Sequence, residues 1–183
     1  MHKIIALLLP LTLISCGDET IPKPKGQLRL EYPSPTYEKL ASDCNFTFDV
    51  NTNAKFSMNN ESSMELEYPN MKATIYLTYK PVEKNIDTLL MDAQKLTYLR
   101  HTIKADEIIE TPFINPNKKT FGMFYEVGGN AATNVQFYLT DSSKHFLTGS
   151  MYFYAKPNFD SILPAASYIK DDIRRIMESF EWK

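Results

Sequence analysis

Apolar and polar positions alternate over most of the chain, and the period of that alternation changes at two helices. Leu28-Arg29-Leu30-Glu31-Tyr32 alternates with the period of a half-buried strand and is closed by Pro33-Ser34-Pro35. Phe46 to Val50 alternates again, Asn51-Thr52-Asn53 reads as a turn, and Ala54 to Met58 predicts the returning arm of a hairpin. Met64 to Tyr68 is a further strand, closed by Pro69-Asn70, and Ala73 to Tyr79 carries the β-branched and aromatic residues that strands favour. In Ile86, Leu89, Leu90, Ala93, Leu96 and Thr97 the spacing widens to three and four, which predicts a helix to about His101. Asn85 is its expected N-cap, and Asp87 suits its positive end. Strand pattern returns in Ile108-Ile109 leading to Pro112, then in Thr120 to Val127, Asn134 to Thr140 and Phe146 to Ala155. Turn residues at 128–133 and 141–144 join the last three as a meander. Finally Ile162, Ala166, Ile169, Ile173, Ile176 and Phe180 step by four or three residues, one apolar stripe on a helix with Asp160 as N-cap and Pro164 near its first turn. A helix with one apolar stripe must lie against a sheet. The order predicts a single α+β domain over 27–183, mainly antiparallel sheet flanked by two helices.

The start of the chain follows a different pattern. Lys3 precedes an apolar stretch of eleven residues from Ile4 to Ile14. A spanning helix needs about 20 apolar residues, so this stretch is too short, and Pro10 interrupts it. It reads as an export signal, 1–15, that is removed. Its end, Leu13-Ile14-Ser15-Cys16, resembles the bacterial lipobox. That resemblance implies a diacylglyceryl group on the Cys16 thiol, cleavage before Cys16 and an N-acyl chain on the new terminus. The plainer reading is a cleaved secretory signal with a chance cysteine. One acyl chain binds a bilayer only marginally, so two or three make a stable anchor. Residues 16–26 then form a proline-spaced tether; Pro22-Lys23-Pro24 is a spacer, or else a recognition peptide. The mature protein is expected to sit on a membrane without crossing it.

Composition narrows the function by exclusion. The chain has 183 residues and net charge −2, which gives no basic face for nucleic acid. Beyond the signal it has two histidines, His101 and His145, in no zinc-binding spacing, and both are expected to face solvent in structural roles. It has no Gly-x-Ser-x-Gly elbow and no phosphate-binding glycine loop. Gly128-Gly129-Asn130 is a turn between strands. The adjacent acids Asp106/Glu107 and Asp171/Asp172 form no general acid/base pair and read as solvated surface. Cys44, with Cys16 acylated, has no intrachain partner and is a small buried thiol or one arm of an intermolecular bridge. No catalytic residue, metal or cofactor is expected apart from the lipid on Cys16. Aromatics occupy consecutive positions in Phe124-Tyr125, Phe137-Tyr138 and Tyr152-Phe153-Tyr154, so they fill both faces of the sheet. The second face needs a covering helix or a partner protein, and Tyr125, Tyr138, Tyr152 and Tyr154 are the candidate partner surface.

Several segments also resemble a known family. Leu28 to Pro33, Met71 to Tyr79, Asp92 to Tyr98, Gly122 to Ala131 and the run from Phe137 to Arg175 are similar to the gliding motility lipoprotein GldD family of Bacteroidota. The element order separately resembles the αβα sandwich of the PsbP and Mog1 type, a likeness of fold that carries no function. The GldD resemblance implies a lipid-anchored, extracytoplasmic envelope protein required for gliding and linked to the type 9 secretion system. The expected function is therefore a non-enzymatic accessory or stabilising component. Its partners would be other envelope proteins of that machinery, themselves lipoproteins. The outer membrane is favoured over the inner. The alternatives are a small-ligand or glycan binder using Tyr152 or Tyr154, and an envelope hydrolase.

Overall fold

The alternating runs become strands because each has one apolar face to bury. The computed structural model describes residues 31–41, 43–101, 105–129, 133–154 and 159–183. In chain order the elements are β1 (Tyr37–Lys39), β2 (Phe46–Thr47), β3 (Asp49–Asn51), β4 (Lys55–Asn60), β5 (Ser63–Tyr68), β6 (Ala73–Pro81), α1 (Ile86–His101), β7 (Ala105–Asn115), β8 (Thr120–Gly129), β9 (Thr133–Thr140), β10 (His145–Phe153), α2 (Phe159–Ser179) and β11 (Glu181–Trp182). Seven strands form one antiparallel sheet in the order β4-β5-β6-β10-β9-β8-β7. Two meanders thus meet where β6 pairs with β10, and α1 carries the chain from the middle of the sheet to its edge. Two short ladders, β1 with β3 and β11 with β2, lie apart from the main sheet.

Each face of the sheet has its own helix. On the inner face Leu66, Ile75, Leu77, Leu139, Leu147 and Met151 share one core with Ile169, Ile173, Ile176 and Phe180 of the C-terminal segment. None of these ten exceeds 2% exposure. Burying each large aliphatic side chain contributes roughly 1.5–3 kcal/mol. Gly149 belongs to this packing, since a Cβ there would lie 2.1 Å from the Phe137 ring that covers it. On the outer face α1 buries Leu89 and Ala93 against Phe146, with Ile86, Leu90 and Tyr138 half-buried around them. Thr97 is also buried there, its hydroxyl on the Gln136 side-chain carbonyl at 2.8 Å. The domain is α+β with helices on both sides of the sheet.

Several expected details differ. Phe46 to Val50 does not pair with Ala54 to Met58; β3 pairs with β1, and β4 pairs with β5. Phe46, Phe48 and Val50 are buried, and the two phenylalanines stack on Phe180 at 5.2 and 6.0 Å. The run therefore packs by α2 instead of joining the exposed edge strand β4. Glu31 and Tyr32 lie in no strand, and residues 28–30 fall outside the described ones. Pro112 sits inside β7, not at its end; β7 is an edge strand, where a missing donor is tolerated. The Asn85 side chain accepts the Glu83 N–H at 2.8 Å, not an N–H of α1. Helix α2 starts at Phe159, so Asp160 is a helical residue and Pro164 lies beyond the first turn. The signal 1–15 and the tether 16–26, with Leu13, Ile14, Ser15 and Cys16, fall outside the described residues. Among those described, no helix is long and apolar enough to cross a membrane.

Candidate functional site

The outer face, where α1 leaves it uncovered, carries cross-strand rows of polar and aromatic side chains. Glu67, Thr74 and Tyr152 stand opposite one another across β5, β6 and β10, and Glu65, Tyr76 and Ser150 form the next row. Opposed side chains on such a face are close enough to interact directly. Tyr154 lies just past β10, and its backbone N–H donates to the Lys72 carbonyl at 2.9 Å. Its ring meets Tyr152 edge-on, with centroids 5.7 Å apart and planes at 72°. The hydroxyls of Tyr154 and Tyr76 are hydrogen-bonded to each other. That bond, with burial, pushes the Tyr76 phenol up to about 12. Three tyrosines thus brace one another, and two remain open, Tyr152 at 40% and Tyr154 at 59% exposure. Glu65 accepts from the Asn59 amide at 2.6 Å. Exposed Glu67 stands beside them.

A second polar group lies under the inner layer. Asp172 is buried on α2, and the Tyr37 hydroxyl donates to its Oδ1 at 2.5 Å while the Asn51 amide donates to its Oδ2 at 2.7 Å. Tyr68 adds a third hydrogen bond. The Asn51 amide also reaches the Tyr168 hydroxyl at 3.0 Å, and Tyr168 packs on Tyr32 at 5.6 Å. Burial pushes the Asp172 carboxyl above the usual carboxylate range, against the lowering effect of those hydrogen bonds. Burial likewise raises the phenols of Tyr37 and Tyr68. Arg175 lies over the Tyr37 ring at 5.5 Å, and its guanidinium pairs with Asp49 at 2.5 Å. The arrangement holds one acid among phenols and an amide. It clasps β1 and β3 onto α2.

The expected surface residues therefore separate. Tyr152 and Tyr154 lie on the open face. Tyr125 is buried beneath α1, and Tyr138 is half-buried and stacked on Phe146 at 5.5 Å, so these two pack inside the fold. The crevice between α1 and Tyr125, Gln136 and Tyr138 has a cavity volume of about 10 Å³, room for one water. His145 does not simply face solvent: its Nδ1 is 2.8 Å from the Tyr79 hydroxyl, and its ring stacks on Trp182 at 5.1 Å. Cys44 is half-buried, with its thiol 3.6 Å from the Met64 sulfur. Adjacency predicts Asp172 at the surface beside Asp171, but Asp172 is buried and Asp171 is exposed. Its position gives a signal that adjacency hides, for it lies three residues after Ile169 and four before Ile176, on the apolar stripe itself. Among the described residues, no group of three His, Cys, Asp or Glu side chains could hold a metal ion. The family model described as "Gliding motility lipoprotein GldD" matches residues 17–182. No curated protein matches the chain.

Proposed function

We infer the function from one premise: the chain belongs to the gliding motility lipoprotein GldD family. Membership carries a role in gliding motility and a place in the cell envelope. Within that role the protein acts as a non-enzymatic accessory that stabilises the gliding and type 9 secretion machinery by touching other envelope proteins, themselves lipoproteins. Acylated Cys16 holds it on the outer membrane. The observation that carries this reading is the open tyrosine patch, Tyr152 and Tyr154 braced by Tyr76 on a face that α1 leaves half covered. Exposed, rigid aromatic side chains are typical anchors of protein contacts. The one-water crevice under α1 offers no room for a metabolite. The Tyr152 and Tyr154 planes stand at 72°, so the two rings do not form one continuous flat platform.

The anchor is tested by Cys16→Ser in living cells. The variant is expected in the soluble envelope fraction with spreading lost, and full membrane attachment would overturn the anchor. Density-gradient separation of the two membranes tests the outer-membrane assignment. The contact role is tested by Tyr152→Ala with Tyr154→Ala. Gliding is expected to fail while the thermal unfolding midpoint stays in place, and normal gliding would defeat the reading.

A further inference from the structure

Twice in this domain an aromatic ring and a carboxylate share one arginine. Arg174 of α2 lies over the Phe124 ring at 5.3 Å and bonds Glu126, two residues along β8, at 2.8 Å. Arg175 lies over the Tyr37 ring and bonds Asp49 of the neighbouring strand. In both cases the ring and acid come from strands and the cation from α2. Glu126 also takes Lys170 at 2.8 Å, and Glu181 takes Lys39 and Lys118, both at 3.2 Å. These acids are matched from within the chain.

Among the described residues, the outer face holds the same ring and acid with no cation paired to either. Glu65 stands directly opposite Tyr76, and Glu67 is separated from Tyr152 only by the short, buried Thr74. Two strand spacings are roughly 10 Å, a gap that one long cationic side chain can span. Among the described residues, Glu65 has the neutral Asn59 amide as its hydrogen-bond partner. Lys55 of β4 is the cross-strand neighbour of Glu67, yet no ion pair joins them. A guanidinium or ammonium over a tyrosine ring gains about 0.5–1 kcal/mol at an exposed site, and more once solvent is excluded.

We propose that this face docks a lysine- or arginine-bearing segment of a partner protein, whose cations complete the ring-and-acid pairs at Tyr76/Glu65 and Tyr152/Glu67. The proposal rests on the reading of this face as a contact surface and adds the chemistry of what it contacts. Charge complementarity selects the occupant: an acidic or purely apolar segment would leave both carboxylates desolvated and unpaired.

The test uses the full acylated protein in intact cells, with p-benzoylphenylalanine in place of exposed Ser57, which lies opposite Glu65 on the same face. Illumination is expected to give a protein adduct whose crosslinked peptide, read by mass spectrometry, contains Lys or Arg. Glu65→Lys with Glu67→Lys should lower the adduct at least tenfold, and Glu65→Gln with Glu67→Gln should lower it less. Thermal unfolding of each purified variant verifies the fold. An adduct indifferent to charge reversal, a crosslinked peptide without cations, or a glycan adduct overturns the proposal while the contact surface stands. No adduct, together with normal gliding of the Tyr152→Ala, Tyr154→Ala variant, overturns the contact surface as well.

Discussion

The two faces of the sheet use the same strands but meet their helices differently. On the inner face every position of the stripe from Ile162 to Phe180 is buried, Glu126 and Asp49 have internal cations, and Asp172 is satisfied by neutral donors. On the outer face, among the described side chains of α1, Leu89, Ala93 and Thr97 are fully buried, and the strands beyond the helix show tyrosines and carboxylates with no paired cation among the described residues. Since both faces belong to one sheet, the difference lies in side-chain chemistry. One face is composed to close on its own helix, and the other to remain available.

That contrast can be broken or sharpened by substitution. Ile173→Ala, in the fully buried stripe, is expected to cost about 4 kcal/mol in urea unfolding, as transfer and cavity terms add. Asp172→Ala comes next, at about 2–3 kcal/mol, because it strips the buried donors of Tyr37 and Asn51 of their acceptor. Its pH dependence is directional. A carboxyl raised by folding contributes stability that is fully present below the unfolded value near 4 and is lost as pH rises through the higher folded value. Wild-type stability should therefore decline over that window, and Asp172→Asn, which has no proton to lose, should lack that decline; parallel slopes would refute the assignment. Leu89→Ala on α1 should cost about 2 kcal/mol, the low end for such truncations, because its cluster is small. A cost equal to that of Ile173→Ala would erase the contrast between the helices. Smallest of all, Tyr152→Ala with Tyr154→Ala should change unfolding by no more than about 0.5 kcal/mol, as expected for exposed positions.

Periodicity made the helices and main strands legible because it reports which side of an element is buried. Ile169, Ile173 and Ile176 could be placed at the sheet from spacing alone, and the meander of β8, β9 and β10 from its turn residues. Pairing was harder, because neighbours are chosen by tertiary contact. Phe46 and Phe48 look like one arm of a hairpin, yet their rings belong with Phe180, which lies far away in sequence. Consecutive aromatics put Tyr125 and Tyr138 on a second face, but whether α1 or a partner covers that face depends on where the crossover helix lands. For Asp172 the misleading signal is local. Its neighbour Asp171 suggested a solvated pair, whereas a helix turns about 100° per residue and places the two on different sides. The Tyr152 and Tyr154 patch was readable as aromatic crowding, but the unmatched carboxylates beside it required the strand register.

The clasp around Asp172 also decides how the domain bears mechanical tension. At the start of the described residues Tyr32 leans on Tyr168, and a few residues on Tyr37 bonds Asp172. A tug from that end is delivered to the flank of α2 through two rings and a carboxylate. The short β1–β3 ladder would peel before the seven-stranded sheet felt the strain, leaving the tyrosine face in shape.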